Sequence, residues 1–212
     1  MVVVAAASFS PVARLGEQLL LVHVSQHALL LDVAALLLIL SMSPQMLEPI
    51  RQGARALPRR LRTVAGEPAI AVVAYAGSLW LWHIPALYNA ALRGPALHVL
   101  QHATFLAAGT LFWWHVVSPL GLHRRLQGLG VGAYTASAKF LTGVLASSIA
   151  FSALGAYEFY PQGERIWSLD ADLDQQVGGG VMIVEELVAI GAALAYLFIR
   201  MLSESDRDDG DA

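Results

Sequence analysis

Five stretches of this chain stay apolar for longer than an ordinary core helix requires, and each is bounded by residues that interrupt regular structure. They run over 18–41, 68–90, 96–118, 133–156 and 177–201. A helix rises about 1.5 Å per residue, so roughly 20 apolar residues cross the hydrocarbon of a bilayer. The intervening breakers are Pro44, Pro49, Pro58, Gly66 with Pro68, Gly94-Pro95, Pro119, Gly121, Pro161 and Gly163. In hydrocarbon every backbone N–H and C=O must be satisfied within the structure, which leaves helices as the only open-ended solution. The expected fold is therefore all-α: an integral membrane helical bundle of about five transmembrane helices, one domain over 18–202. Residues 1–17 form an outward-facing segment, and the polar, acidic residues 203–212 a disordered cytoplasmic tail. Composition agrees, with 57% hydrophobic and only 14% charged residues, against about a quarter charged in a soluble domain. Met1 to Ala7 are apolar but lack a basic n-region, so no cleaved signal is assigned.

Basic residues set the orientation. Loop 42–67 carries Arg51, Arg55, Arg59, Arg60 and Arg62, and loop 119–132 adds Arg124 and Arg125. Loop 91–95 has only Arg93, and loop 157–176 has Arg165 among Glu158, Glu164, Asp170, Asp172 and Asp174. The positive-inside rule puts the arginine-rich loops and the C-terminus in the cytoplasm and the N-terminus outside. Trp113 and Trp114 then fall near the cytoplasmic interface, and Tyr88, Tyr157 and Tyr160 near the outer one, as anchors would. Trp80 and Trp82 sit deeper, where they pack against neighbouring helices.

Two segments share the pattern His-Val-x-Gln-His: His23 to His27 and His98 to His102. Residues four apart project from one helix face, so each pair presents two imidazoles to one point. Both pairs lie within roughly 13 Å of the outer boundary, and His83 of the second span reaches a similar depth. Five of the seven histidines thus meet in one layer, contributed by three helices. Polar groups at membrane depth face a bundle interior or a wet cavity. Neutral imidazole is the commonest metal ligand and suits copper, zinc and iron. His23, His27, His83, His98 and His102 are the candidate ligands, with Gln26 and Gln101 placed to orient them. A structural polar core and axial haem ligation remain alternatives for the same residues. His115 and His123 fall on the opposite side and are left out.

Other polar residues have competing explanations. Pro85 is read as the maker of a helix end. Asp174 suits the start of the fifth span through the helix dipole, and with Gln175 it is also a candidate to close the histidine layer from above. Gly178, Gly179 and Gly180 permit close helix approach. Met182 is read as packing in preference to a soft ligand. Asp32, Lys139, Glu185 and Glu186 are intramembrane charges that pair with one another or, for Lys139, snorkel to the surface. Asp32, five residues beyond His27, is expected to point away from the histidine face.

Several function classes are excluded or unsupported. Cysteine is missing altogether, which removes disulfides, thiolate metal sites and thiol nucleophiles. No long basic run suggests nucleic acid, and no phosphate loop, Ser-His-Asp order or His-Glu-x-x-His sequence suggests an enzyme.

Taken in order, His23-x-x-Gln26-His27, Trp82-His83-x-Pro85-x-x-Tyr88, His98-x-x-Gln101-His102, Phe112-Trp113-Trp114 and Asp174-Gln175-Gln176-x-Gly178-Gly179 resemble the polytopic CtaG-type cytochrome c oxidase assembly factors of bacteria. The resemblance runs from about residue 18 to 200. It implies a non-enzymatic role in the bacterial inner membrane, maturing a haem-copper oxidase by supplying copper to its catalytic subunit. The five histidines match the family's histidine positions and Asp174 its acidic position. A b-type electron-transfer protein and a metal-free scaffold for oxidase subunits are the alternatives.

Overall fold

The computed structural model describes residues 11–117, 119–120, 126, 129–152, 157–160, 167 and 169–210. Every regular element among them is helical. In chain order these are α1 (Pro11–Gly16), α2 (Leu20–Leu40), α3 (Pro44–Ala56), α4 (Arg59–Ala65), α5 (Pro68–Trp82), α6 (Pro85–Arg93), α7 (Pro95–Val117), α8 (Leu129–Phe151) and α9 (Ala171–Gly210). Proline opens α1, α3, α5, α6 and α7. The first helical N–H has no partner inside the helix, and the proline ring pre-sets φ there, so the residues expected to break structure instead start it.

Several expectations are corrected by this geometry. Loop 42–67 contains α3 and α4, with Ser43 capping α3 by accepting from Met46 N at 3.4 Å. The second span is broken at His83–Ile84, where α5 and α6 meet at 74°. Pro85 ends one helix as expected, and it also turns the chain. The fourth long helix begins at Leu129, earlier than expected, and ends at Phe151. The backbone of α9 stays helical to Gly210, through the stretch expected to be irregular. Extending an existing helix adds a hydrogen bond per residue without a new nucleus, so polar residues can follow on. His123, Arg124, Arg125, Glu164 and Arg165 lie outside the described residues.

The count of about five membrane spans is not reproduced. By length and composition, α2 and the Ala171–Tyr196 part of α9 can each cross a membrane, and the bent pair α5–α6 makes a third. Helices α7 and α8 have 23 residues each, which is long enough. Their interior-facing histidines, glutamine, lysine and hydroxyls dilute their hydropathy.

Helix contacts run α2 to α7, α7 to α5, α5 to α8, α8 to α9 and α9 back to α2, which closes a ring. The ring is inverted relative to a soluble bundle. Val73, Val99, Phe140 and Leu187 are more than half exposed on its outside, while Lys139, Gln101, His23 and Thr142 are at most 1% exposed. Apolar outside and polar within is the distribution that lipid as solvent selects.

Two glycines set the helix spacing. A Cβ on Gly109 of α7 would overlap the Leu31 carbonyl of α2, and one on Gly179 of α9 would strike the Ala150 backbone of α8. The two contacts bring neighbouring backbones together as small residues do in membrane bundles. Gly178 approaches Leu21 of α2, whereas nothing lies near Gly180.

Candidate metal centre

The histidine layer assembles at the end of the bundle where α2 and α7 begin and α5 ends. His23 and His27 sit one turn apart on α2 with ring centroids 4.3 Å apart, and His98 and His102 repeat this spacing on α7 at 4.3 Å. Between the helices, His23 stacks on His98 at 5.2 Å and 21°, and His27 meets His102 at 5.5 Å. His83 caps α5 and reaches His27 at 5.7 Å. All five predicted imidazoles are therefore brought into one contiguous cluster.

Their hydrogen bonding leaves ligand atoms free. Nε2 of His23, His83, His98 and His102, and both ring nitrogens of His27, are buried without a hydrogen-bond partner. His83 Nδ1 is 2.8 Å from the Leu79 carbonyl, which fixes that nitrogen as the donor and leaves Nε2 as the lone-pair side. Buried polar atoms are ordinarily satisfied, so six such nitrogens in one layer call for an explanation. His23, His98 and His102 each direct one ligating atom into a common space, all within 4.8 Å of one another. Nitrogens on a single metal lie at most about 4 Å apart, at metal–nitrogen distances near 2 Å. The triad is slightly open for one ion, and its neutral nitrogen donors fit copper or zinc.

Tyrosines that the sequence pattern assigned to the membrane interface belong to this layer. Tyr88 is fully buried and touches His23 at 5.3 Å, His83 at 5.5 Å and Tyr157 at 4.2 Å. Its hydroxyl is 3.1 Å from that of Tyr160, which donates in turn to the Gly16 carbonyl at 3.3 Å. Tyr157 Oη donates to the His83 carbonyl at 3.1 Å, a group left over by the broken helix. Burial pushes both the Tyr157 and Tyr160 phenols up, so they act as neutral donors. Phe105 forms the floor, 4.5 Å from His27. The clue in the sequence is the spacing of Tyr88 three residues after Pro85, on the inward face of the helix that proline starts.

The supporting polar residues divide. Gln101 is fully buried beside His23. The Gln26 side chain lies against Gly16 of α1. Gln175 Nε2 donates to the Ile149 carbonyl at 3.1 Å and to Ser152 Oγ at 3.0 Å, which ties α9 to the end of α8. Asp174 does something sequence reasoning missed. Its two oxygens accept from Leu20 N at 2.7 Å and Leu21 N at 3.0 Å, capping α2 from another helix. Met182 packs in the apolar core. His115 is buried away from the cluster, its Nδ1 2.9 Å from the Leu111 carbonyl and its ring facing Tyr134.

A second polar cluster lies deeper. Lys139 Nζ is 2.9 Å from Asp32, 3.2 Å from Glu185 and 3.1 Å from Glu186. Lys139 therefore pairs and does not snorkel. Trp113, expected at the interface, is buried and donates to Asp32 at 3.0 Å. Trp82 donates to Thr104 at 3.2 Å, and Trp80, partly exposed, to the Leu141 carbonyl at 3.0 Å. Asp32 faces inward because Leu29–Ala34 is a π turn. Regular helix would set it roughly 140° from His27, but the wider turn swings it back to the interior.

No curated protein and no solved structure matches the chain. Residues 1–204 match the profile described as cytochrome c oxidase caa3 assembly factor (Caa3_CtaG), and with nearly its whole length matched the chain belongs to that family.

Proposed function

We propose that this assembly factor binds copper in the layer formed by His23, His98 and His102, with His27 and His83 beside them, and supports its delivery to the catalytic subunit of the oxidase. The observation that carries the reading is the set of buried, unpartnered imidazole nitrogens, three of which converge within 4.8 Å. Copper is the imidazole-favoured metal that a haem-copper oxidase consumes, so it enters as cargo. With no thiolate in the chain, an all-nitrogen site holds Cu(I) less tightly than sulfur would, which suits a donor. Haem ligation is less well supported. The imidazoles, Tyr88 and Phe105 pack ring against ring, where a porphyrin would need a slot between them.

In the proposed topology α2, α5–α6, α7, α8 and α9 form five spans of the bacterial inner membrane. The N-terminus and the histidine layer face outward, and the C-terminus faces the cytoplasm. The arginines of α3 and α4 support this orientation. The protein acts by binding and not by catalysis.

Copper analysis of the purified protein tests the site. Wild type should retain one or two copper ions, and His23→Ala with His98→Ala should lose them. An unchanged stoichiometry in the double variant, or a haem spectrum in the wild type, would sink the copper reading.

A further inference from the structure

The deeper cluster has no part in copper binding, yet its composition calls for a ligand of its own. Five elements contribute to it: Asp32 from α2, Tyr75 from α5, Trp113 from α7, Lys139 from α8, and Glu185 and Glu186 from α9. Asp32 is well served. It accepts from Tyr75 Oη at 2.9 and 2.8 Å, from Trp113 Nε1 at 3.0 Å and from Lys139 Nζ at 2.9 Å. Lys139 is 1% exposed, and its charge is matched by Asp32 alone.

Glu185 and Glu186 reach the same ammonium, at 3.2 and 3.1 Å, and no other cation among the described residues pairs with them. An ammonium has three protons. Here it meets four oxygens, because it also donates to Tyr75 Oη at 2.6 Å. If every carboxyl were ionised, two negative charges would stand uncompensated inside the bundle, which is costly because burial strips each ion of its hydration. A groove of about 710 Å³ on the outer side of α8 and α9, walled by Phe140, Val144 and Leu187 with Ser147 and Ser148, has Lys139 and Glu186 at its base.

We propose that Glu185 and Glu186 form a proton-exchange site at mid-bundle, held by the fixed Asp32–Lys139 pair, with the partly exposed Glu185 as its outlet. Each carboxylic acid releases its proton to solvent and leaves a carboxylate, and recovers it by the reverse step, with no other reactant. Copper at the histidine layer is not required for this.

Infrared titration of the full-length protein in lipid nanodiscs tests it, in light and heavy water. At neutral pH the wild type should show the C=O stretch of protonated carboxylic acids, which surface Asp and Glu lack. The band should shift in heavy water and lose intensity as pH rises. Glu185→Gln and Glu186→Gln should each remove one component, and the double variant the whole band. The wild-type measurement alone decides if a variant fails to fold. No such band, a band that neither exchanges nor titrates, or one that survives the double variant would overturn the proposal. Loss of the band on adding sodium or potassium at constant pH would also overturn it, assigning the site to an alkali cation.

Discussion

Replacing Asp174 should loosen the helix that carries two of the five imidazoles. The first four N–H groups of a helix have no intrahelical acceptor. The residue before α2 is Leu19, which has no side-chain oxygen and makes no capping bond. Asp174 supplies the missing cap across the bundle, taking the N–H groups of Leu20 and Leu21 with one oxygen each. A hydrogen bond to a charged acceptor contributes about 1.5–3 kcal/mol, and an ordinary cap about 1. Since Leu21 N is only partly buried and water can replace its partner, the loss in Asp174→Ala should be about 2–4 kcal/mol. Asp174→Asn keeps one acceptor oxygen and should lose roughly half as much. His23 lies within the first turn, so copper affinity should fall in the same order. Unfolding in mixed detergent micelles gives the stability and copper titration the affinity. Asp172→Ala, two residues earlier and away from α2, is the control. Wild-type stability in Asp174→Ala, or an equal loss in Asp172→Ala, would refute the capping role.

Three other substitutions probe separate parts of the bundle. Lys139→Met removes the one cation that pairs with three carboxyls among the described residues and should cost about 3–5 kcal/mol in the same unfolding assay, with Asp32→Asn in addition restoring part of it. Gly109→Ala places a methyl on the Leu31 carbonyl and should destabilise by about 1–3 kcal/mol, while Gly180→Ala, with open space around it, should be neutral. Tyr88→Phe removes the hydroxyl contact with Tyr160 while keeping the ring against the histidines. It should cost about 1 kcal/mol and leave copper stoichiometry unchanged.

The histidine layer was legible because two independent regularities coincide in the sequence. The four-residue spacing fixes a face, and span boundaries fix a depth, so His23, His27, His98 and His102 needed no tertiary information. His83 followed from depth alone. What was not legible are contacts whose partners are far apart in the chain. Asp174 to Leu20 spans 154 positions, and nothing local distinguishes a cap on one's own helix from a cap on another. Tyr157 and Tyr160 read as interfacial because aromatic residues near a span end usually are. The chain instead folds back over the layer, and both are buried. Lys139 left snorkelling open, because only the closing of the ring brings Asp32 of α2 and Glu185 and Glu186 of α9 within reach of it.

The placement of Asp32 shows how a phase error in sequence becomes a feature of structure. His27 and Asp32 are five residues apart, a spacing that a regular α-helix cannot hold on one face. Both are nevertheless interior, at 1% and 6% exposure, because the turn Leu29–Ala34 absorbs one extra residue. Such π turns are commonly one-residue insertions into a helix, retained near functional sites. If so, the extra residue can be removed. Leu29 is 39% exposed and opens the π turn. Deleting it leaves Asp32 four residues from His27, the spacing at which regular helix returns a side chain to nearly the same face. The deletion variant should therefore fold, keep copper stoichiometry and retain the Asp32–Lys139 pair. Inserting one alanine after Leu36, where α2 is already regular, turns all that follows by roughly 100° and should disrupt packing beside Ile39. Amide exchange across 29–34 and copper titration read the two outcomes. An unfolded or copper-free deletion variant with a well-folded insertion variant would show that the π turn is required for its own sake, and that phase is not what it corrects.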